Sequence, residues 1–295
     1  MSLGKGDGYM NENSYSQIVN QAINYIHFNV DKNITAEDIA NHCCFSKYYF
    51  NRIFRSIVNE SVYSFIKRMK LENAAFKLRT NKKKAITEIA LEAGYSPSNF
   101  AVAFKEYFGI SASDFRKNST ITPKDTYKAT VEHISRMEKQ EDFFRQIASK
   151  ITIRQLPPML LEYERFIGNY YDLAKAWDDF CSDAEKQHLI KEGTLFIGIS
   201  YDDPLVTDED NCMYDMCVTV DAAKGTNVHK LESGLYACYD FYDRLENLNK
   251  AFNEIFSLWL PYSNFNIDNR LPLEVYKSSL DEERRMHIDI CIPIV

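Results

Sequence analysis

An internal repeat constrains this chain more than any other feature: residues 34–67 align without a gap to 84–117, an offset of 50 residues. Ile39-Ala40 meets Ile89-Ala90, Ser46 meets Ser96, Phe50 meets Phe100, Phe54 meets Phe104 and Phe65 meets Phe115. An apolar skeleton held in register over so long a stretch points to duplicated structure rather than chance.

Each copy reads as a short helix, a tight turn and a second helix, the helix-turn-helix pattern. Thr35 and Thr87 are the expected caps of the first helices, and Ser46 and Ser96 of the second. Gly94 suits a left-handed helix end. In the first copy Phe50, Ile53, Phe54 and Ile57 form the buried stripe, and Tyr48, Asn51, Arg52 and Arg55 fall on another face. Those residue types read base edges and grip phosphates. A plain solvated face is the alternative, and the duplicated motif outweighs it. In the second copy Phe100, Ala103, Phe104 and Tyr107 are the expected stripe, with Ser98, Ala101, Val102 and Lys105 outward. Val102 stands where Arg52 stood, so this helix is suited to a thymine methyl and to phosphates. Lys47 beside Ser46, and Asn99 beside Ser98, complete the DNA-contact candidates. A helix over 61–80 joins the copies and spans about 30 Å, against the ~34 Å between major-groove faces one turn apart. Lys82, Lys83 and Lys84 follow as a basic turn.

Charge divides the same way. Residues 1–118 hold 16 Lys and Arg against 11 Asp and Glu, and the rest hold 19 against 31. A basic half draws a phosphate backbone through counterion release, whereas the acidic half favours a different, cationic partner. The seven cysteines include no CxxC pair, and the six histidines no HExxH. Neither a disulfide framework nor a metal site is therefore expected. No nucleotide loop or nucleophile elbow is present, so no cofactor is expected. No apolar run is long enough to cross a membrane, and a cytoplasmic protein is expected.

Residues 13–118 resemble the DNA-binding region of the AraC/XylS family of transcription regulators. The resemblance rests on IANHCCFSKYYFNRIFR (39–55) and IALEAGYSPSNFAVAFKEYFGISASDFRK (89–117). It implies base contacts from Tyr48, Asn51 and Arg52. The proline usual after Ser111 is replaced by Ala112-Ser113.

Residues 1–12 are expected as a leader and 119–149 as a linker. From 150 a second repeat appears, offset by 75 residues: Leu160 meets Leu235, Phe166 meets Phe241, Leu173 meets Leu248 and Ala176 meets Ala251. With one residue of slippage, Asp215-Met216-Cys217-Val218 then meets Asp289-Ile290-Cys291-Ile292. Strands are expected at 151–156, 160–166, 195–201, 213–220, 228–231, 235–242, 273–276 and 285–294, and helices at 169–188 and 243–259. The expected fold is multidomain: an all-α double helix-turn-helix unit, then an α+β domain with a pseudo-twofold strand-helix-strand-strand repeat. A cleft on that axis is a natural ligand site. The repeat aligns Ile199 with Glu274, which stands in an otherwise apolar strand with Tyr276 on its face. A carboxylate there wants a cation or hydrogen bonds, and aromatic residues such as Tyr163, Tyr170, Tyr171, Trp177, Tyr236, Trp259 and Tyr262 would add cation–π attraction. A strand-end Glu paired with Arg is the plainer alternative.

Residues 150–295 are similar to GyrI-like effector-binding domains, through GNYYDL (168–173), GISYDDP (198–204), MYDMCVTV (213–220), WLP (259–261), LPLEVY (271–276) and HIDICIPIV (287–295). The resemblance implies that Glu274 sits in a cleft and engages cationic or amphipathic ligands. Tyr276, Trp259, Tyr163 and Tyr170 are the further candidates. The function implied is a regulator that binds double-stranded DNA and a small-molecule effector, with RNA polymerase as a candidate partner and no membrane role. The alternatives for the second half are a small-molecule hydrolase and a protein-binding module.

Overall fold

A computed structural model describes residues 12–81, 83–117, 141–202 and 207–295. The expected leader up to residue 11, the linker over 118–140 and Lys82 lie outside the described residues. The chain forms two compact units, one ending at Met69 and the other beginning at Lys70.

In the first unit α1 (Glu12–Asn29) precedes α2 (Ala36–His42) and α3 (Lys47–Val58). Thr35 caps α2 with a reciprocal pair of bonds: its hydroxyl accepts the Asp38 N–H, and Asp38 accepts the Thr35 N–H. Phe50, Ile53, Phe54 and Val58 form the buried stripe of α3. Helix α4 (Val62–Thr80) crosses the division between the units.

The second unit repeats the motif with α5 (Ile86–Glu92) and α6 (Pro97–Phe108), closed by α7 (Ala112–Lys117). Two expectations fail here. Ala85, not Thr87, takes the cap of α5, because Glu88 reaches back to the Ala85 N–H at 3.2 Å. Tyr107 is 39% exposed rather than buried and donates its hydroxyl to Glu72 at 2.6 Å. Phe108 packs against the core in its stead.

The repeat is exact in backbone terms at two positions. Cys44 (φ 60°) matches Gly94 (φ 78°), and Asn59 (φ 62°) matches Gly109 (φ 74°). A left-handed conformation costs a residue with a Cβ about 1–2 kcal/mol, part of which glycine's chain entropy offsets. The Cys44 side chain is exposed, so Cys44→Gly should gain about 1 kcal/mol. Thermal melting of the full chain checks this, and a lower melting temperature in the variant would refute it.

After α8 (Glu141–Ser149) the chain builds eight antiparallel strands. They are β1 (Ile151–Leu156), β2 (Met159–Ile167), β3 (Phe196–Ser200), β4 (Met213–Thr219), β5 (Val228–Leu231), β6 (Gly234–Arg244), β7 (Leu273–Tyr276) and β8 (Arg285–Pro293). Their order is β1-β6-β8-β7-β3-β4-β2-β5. Helix α9 (Leu173–Lys186) follows β2. Helix α10 (Leu248–Asn253) follows β6 and runs into a π-helical turn, Glu254–Trp259.

One sheet face packs on these helices in two apolar clusters. Phe180, Ala184, Tyr214, Met216 and Val218 lie under the first half. Ala251, Ile255, Leu258, Ile288, Ile290 and Ile292 lie under the second. The curled opposite face buries Leu161, Ile197, Ile199, Tyr236, Leu273 and Cys291. Within this same unit Arg79 of α4 donates to Asn253 Oδ1 at 2.7 Å, and Phe76 meets Phe256 edge-on at 5.0 Å.

Candidate functional site

The strand register places Glu274 on the pseudo-twofold axis. Asp215 pairs with Ile199, and its repeat counterpart Asp289 pairs with Val275. Ile199 therefore corresponds to Val275, and Gly198 to Glu274. Gly198 and Glu274 are also direct partners across β3 and β7, as residues on a twofold must be. This corrects the expected match of Glu274 with Ile199. Ile199 faces the other side of the sheet, and the repeat slips on both sides of β3: the offset is 75 between β2 and β6, 76 between β3 and β7, and 74 between β4 and β8.

Gly198 has a steric role. A Cβ there would lie 1.6 Å from the Tyr214 hydroxyl, so only glycine leaves room for that hydroxyl to reach Glu274. Tyr214 donates to Glu274 Oε2 at 2.7 Å, Tyr276 does so at 3.3 Å, and Ser200 donates to Oε1. The two tyrosine hydroxyls lie 2.8 Å apart. Around them stand Trp177, 5.1 Å from the Tyr276 ring and 6.3 Å from Tyr214, and Tyr170, 5.9 Å from Tyr214. The Trp177 indole N–H is buried on the side of the Tyr276 hydroxyl.

Glu274 is 3% exposed. Burial pushes its carboxyl up from the usual range, and the hydroxyls of Ser200, Tyr214 and Tyr276 offset this only in part. No basic side chain pairs with it among the described residues. The two acids on the opposite face are different. Asp215 takes two bonds from Arg165, each 2.7 Å, and one from His229 at 2.7 Å. Asp289 takes Arg154 and Lys277, both at 2.5 Å. Burial would raise the Asp215 carboxyl, but the Arg165 guanidinium and His229 outweigh it and hold it low.

Of the expected ligand residues, Glu274 and Tyr276 meet, and Tyr170 borders them through Tyr214. Tyr163 is on the other face of the sheet, stacked on His229 at 4.2 Å. Trp259 is buried under the second half, stacked on Phe265 at 6.2 Å. Ser200, Tyr214 and Trp177 complete the site. Their signal in the sequence was the glycine inside an apolar strand, which marks a close approach.

On α3 the side chains of Lys47, Tyr48, Arg52 and Arg55 are exposed, Tyr48 to 86%. Ser46 holds the N-cap position without a side-chain cap bond. Asn51 is half-buried, and its Oδ1 accepts the Val62 N–H at 3.0 Å, at the start of α4. On α6 Ser98, Asn99, Val102 and Lys105 are exposed, Val102 to 60%. Ser96 caps the helix through the Asn99 N–H at 3.3 Å. Lys84 and Lys77 both pair with Glu92, which removes Lys84 from the basic turn.

Comparison with known proteins matches two parts of the chain. A family model described as a GyrI-like small molecule binding domain matches residues 149–295, and a helix-turn-helix domain model matches 39–118. The HTH-type transcriptional activator AarP of Providencia stuartii is 34% identical over 106 residues, 36% of this chain and 78% of that one. The regulatory protein SoxS of Salmonella typhimurium is 31% identical over 104 residues, 35% of this chain and 96% of its own. A solved AraC-type transcriptional regulator from Chromobacterium violaceum is 21% identical, with a TM-score of 0.33, over 36% of this chain and 95% of that one. Among the described residues no helix is long and apolar enough to cross a membrane.

Proposed function

Since the chain belongs to the AraC family of transcription regulators and carries a GyrI-like small-molecule-binding domain, we propose that its effector is an amphipathic cation held by Glu274. The observation that carries this reading is the unpaired charge. Glu274 is buried among aromatic rings with hydroxyl donors alone, while Asp215 and Asp289 each have basic partners. An incoming cation supplies the missing partner, and the rings of Trp177, Tyr170, Tyr214 and Tyr276 attract it through their faces.

Binding, not turnover, is the proposed role, and RNA polymerase is the expected partner for output. The Ser200–Glu274 bond is what a hydrolase would use first. Hydrolysis of an activated ester that Ser200→Ala abolishes would favour that second reading.

DNA reading is assigned to Tyr48, Arg52 and Arg55 on α3, with Lys47 at a phosphate, and to Ser98, Asn99, Val102 and Lys105 on α6. Asn51 serves first as the cap of α4. On a selected DNA site, Arg52→Ala should lose about 1–3 kcal/mol of discrimination at one base pair. Lys47→Ala should instead weaken all sequences alike and reduce the salt slope by about 1. Binding titrations on matched and mismatched duplexes distinguish the two patterns, and equal loss of discrimination in both would undo the assignment.

A further inference from the structure

Cation binding makes no use of the thiols behind the sheet. Cys217, Cys238 and Cys291 all lie in the apolar cluster on the face turned away from the helices. Cys238 of β6 and Cys291 of β8 are direct partners in the antiparallel ladder, so both side chains rise from the same face. Direct partners have Cα atoms about 4.5–5.5 Å apart, inside the span of about 4.4–6.8 Å that a disulfide needs. Both are free thiols, each 1% exposed. The repeat shows that the fold does not require the pair: the corresponding partners on β2 and β4 are Tyr163 and Cys217.

The second half also differs in what covers the thiols. Arg154, on the edge strand β1, points a guanidinium nitrogen at Cys291 Sγ, 3.9 Å away, while its side chain is 41% exposed. Arg154 thus sets a part-exposed charge directly against the buried pair. The Cys291 thiol and the Arg154 charge, against burial, hold the Cys238 thiol below its ordinary range, whereas Cys291 is pushed up. A cation held against adjacent thiols favours a thiolate at the pair, and the neighbouring sulfur can then resolve the oxidised one.

We propose that Cys238 and Cys291 form a hydroperoxide-responsive dithiol that closes reversibly into a disulfide between β6 and β8. The Cys238 thiolate attacks the distal peroxide oxygen. The O–O bond breaks, a sulfenic acid forms, and the leaving oxygen takes a proton and departs as water or an alcohol. The Cys291 sulfur then attacks the sulfenic sulfur, the S–O bond breaks, and water leaves with the Cys291 proton. Two thiols are oxidised by two electrons and one hydroperoxide is reduced. An external thiol reverses the change. Cys291 also pairs with Leu273, the residue before Glu274, so the modified strand neighbours the one that carries the effector carboxylate.

The test uses the full chain and hydrogen peroxide. Remaining thiols are alkylated in denaturant, and an unreduced digest is mapped by mass spectrometry, with exposed Cys44 as the control for oxidant exposure. The Cys238 and Cys291 peptides should appear as one linked species that dithiothreitol separates. In Cys291→Ser, dimedone should trap a sulfenic acid at Cys238, and Arg154→Gln should slow linkage several-fold. Should Cys291→Ser fail to fold, the wild-type map alone decides. Recovery of both peptides as alkylated thiols after Cys44 has reacted would overturn the proposal, as would linkage of Cys238 to Cys217.

Discussion

A full chain carrying Glu274→Gln should lose about 2–5 kcal/mol of binding energy for a lipophilic quaternary ammonium compound, on the order of 30- to 4000-fold in Kd. Binding of an uncharged isostere should hardly change. The loss is large because the site excludes water: Glu274 is 3% exposed, and a buried cation without its counter-charge is held only by ring faces. The glutamine keeps the shape; its one oxygen can accept from Tyr214 while its NH2 donates to the Ser200 hydroxyl oxygen, so the substitution removes charge and little else. The pH dependence follows from the same group. Burial raises the Glu274 carboxyl above its unfolded value. Its contribution to stability is therefore complete below the unfolded pKa and is lost as pH rises through the folded one. Cation binding requires the carboxylate, so affinity should rise over that same window. Stability of the ligand-free protein and affinity for the cation should thus move in opposite directions with pH, and Glu274→Gln should flatten both. Calorimetric titration across pH with the cation and its isostere measures this. Equal affinity for the two compounds would remove the charge from the account.

The second large effect concerns the other face of the sheet. Arg165→Met should destabilise the C-terminal domain by about 3–5 kcal/mol, the cost of leaving one partner of a buried ion pair alone. The Arg165 side chain is 1% exposed and Asp215 is wholly buried, so water cannot substitute for the guanidinium. Tyr201 and His229 remain on Asp215 at 2.7 Å each, which keeps the loss below that of a bare charge. Asp215→Leu on top of Arg165→Met should recover much of the stability, since removing both charges removes the unmet desolvation. Both tryptophans lie in this domain, so their fluorescence follows its unfolding in denaturant. A loss under 1 kcal/mol for Arg165→Met would mean the pair is not the buried anchor described here.

Most of the architecture is legible in the sequence. The strands at 151–156, 228–231 and 273–276 fall where alternation and turn residues put them, and the capping of α2 by Thr35 follows from its sequence. Failures cluster where a partner distant in sequence decides. Asn51 shares its helix face with Tyr48, Arg52 and Arg55, the expected DNA contacts, but its oxygen accepts the Val62 N–H at the start of α4, a bond no pattern in the sequence announces. Tyr163 counted as a ligand aromatic by type, yet strand alternation with Arg165 sends it to the opposite face. Ser200 and Tyr214 could not be named from type at all. Their place depends on the register that sets Gly198 against Glu274, and a one-residue error in the repeat alignment moves every side chain to the wrong face. The division of the chain at Met69 and Lys70 falls inside α4, where no change in sequence pattern announces it.

The central claim is that one chain couples DNA reading to occupation of the Glu274 site. Coupling between two ligands is reciprocal, so the most direct measurement is Kd for a selected operator duplex with and without saturating quaternary ammonium ligand, and Kd for that ligand with and without saturating DNA. One shared factor of at least about fivefold is expected in the wild type and none in Glu274→Gln, with a smaller factor in Asn253→Ala, which removes the bond from Arg79. Operator affinity that is unmoved by a cation bound at Glu274 would contradict it.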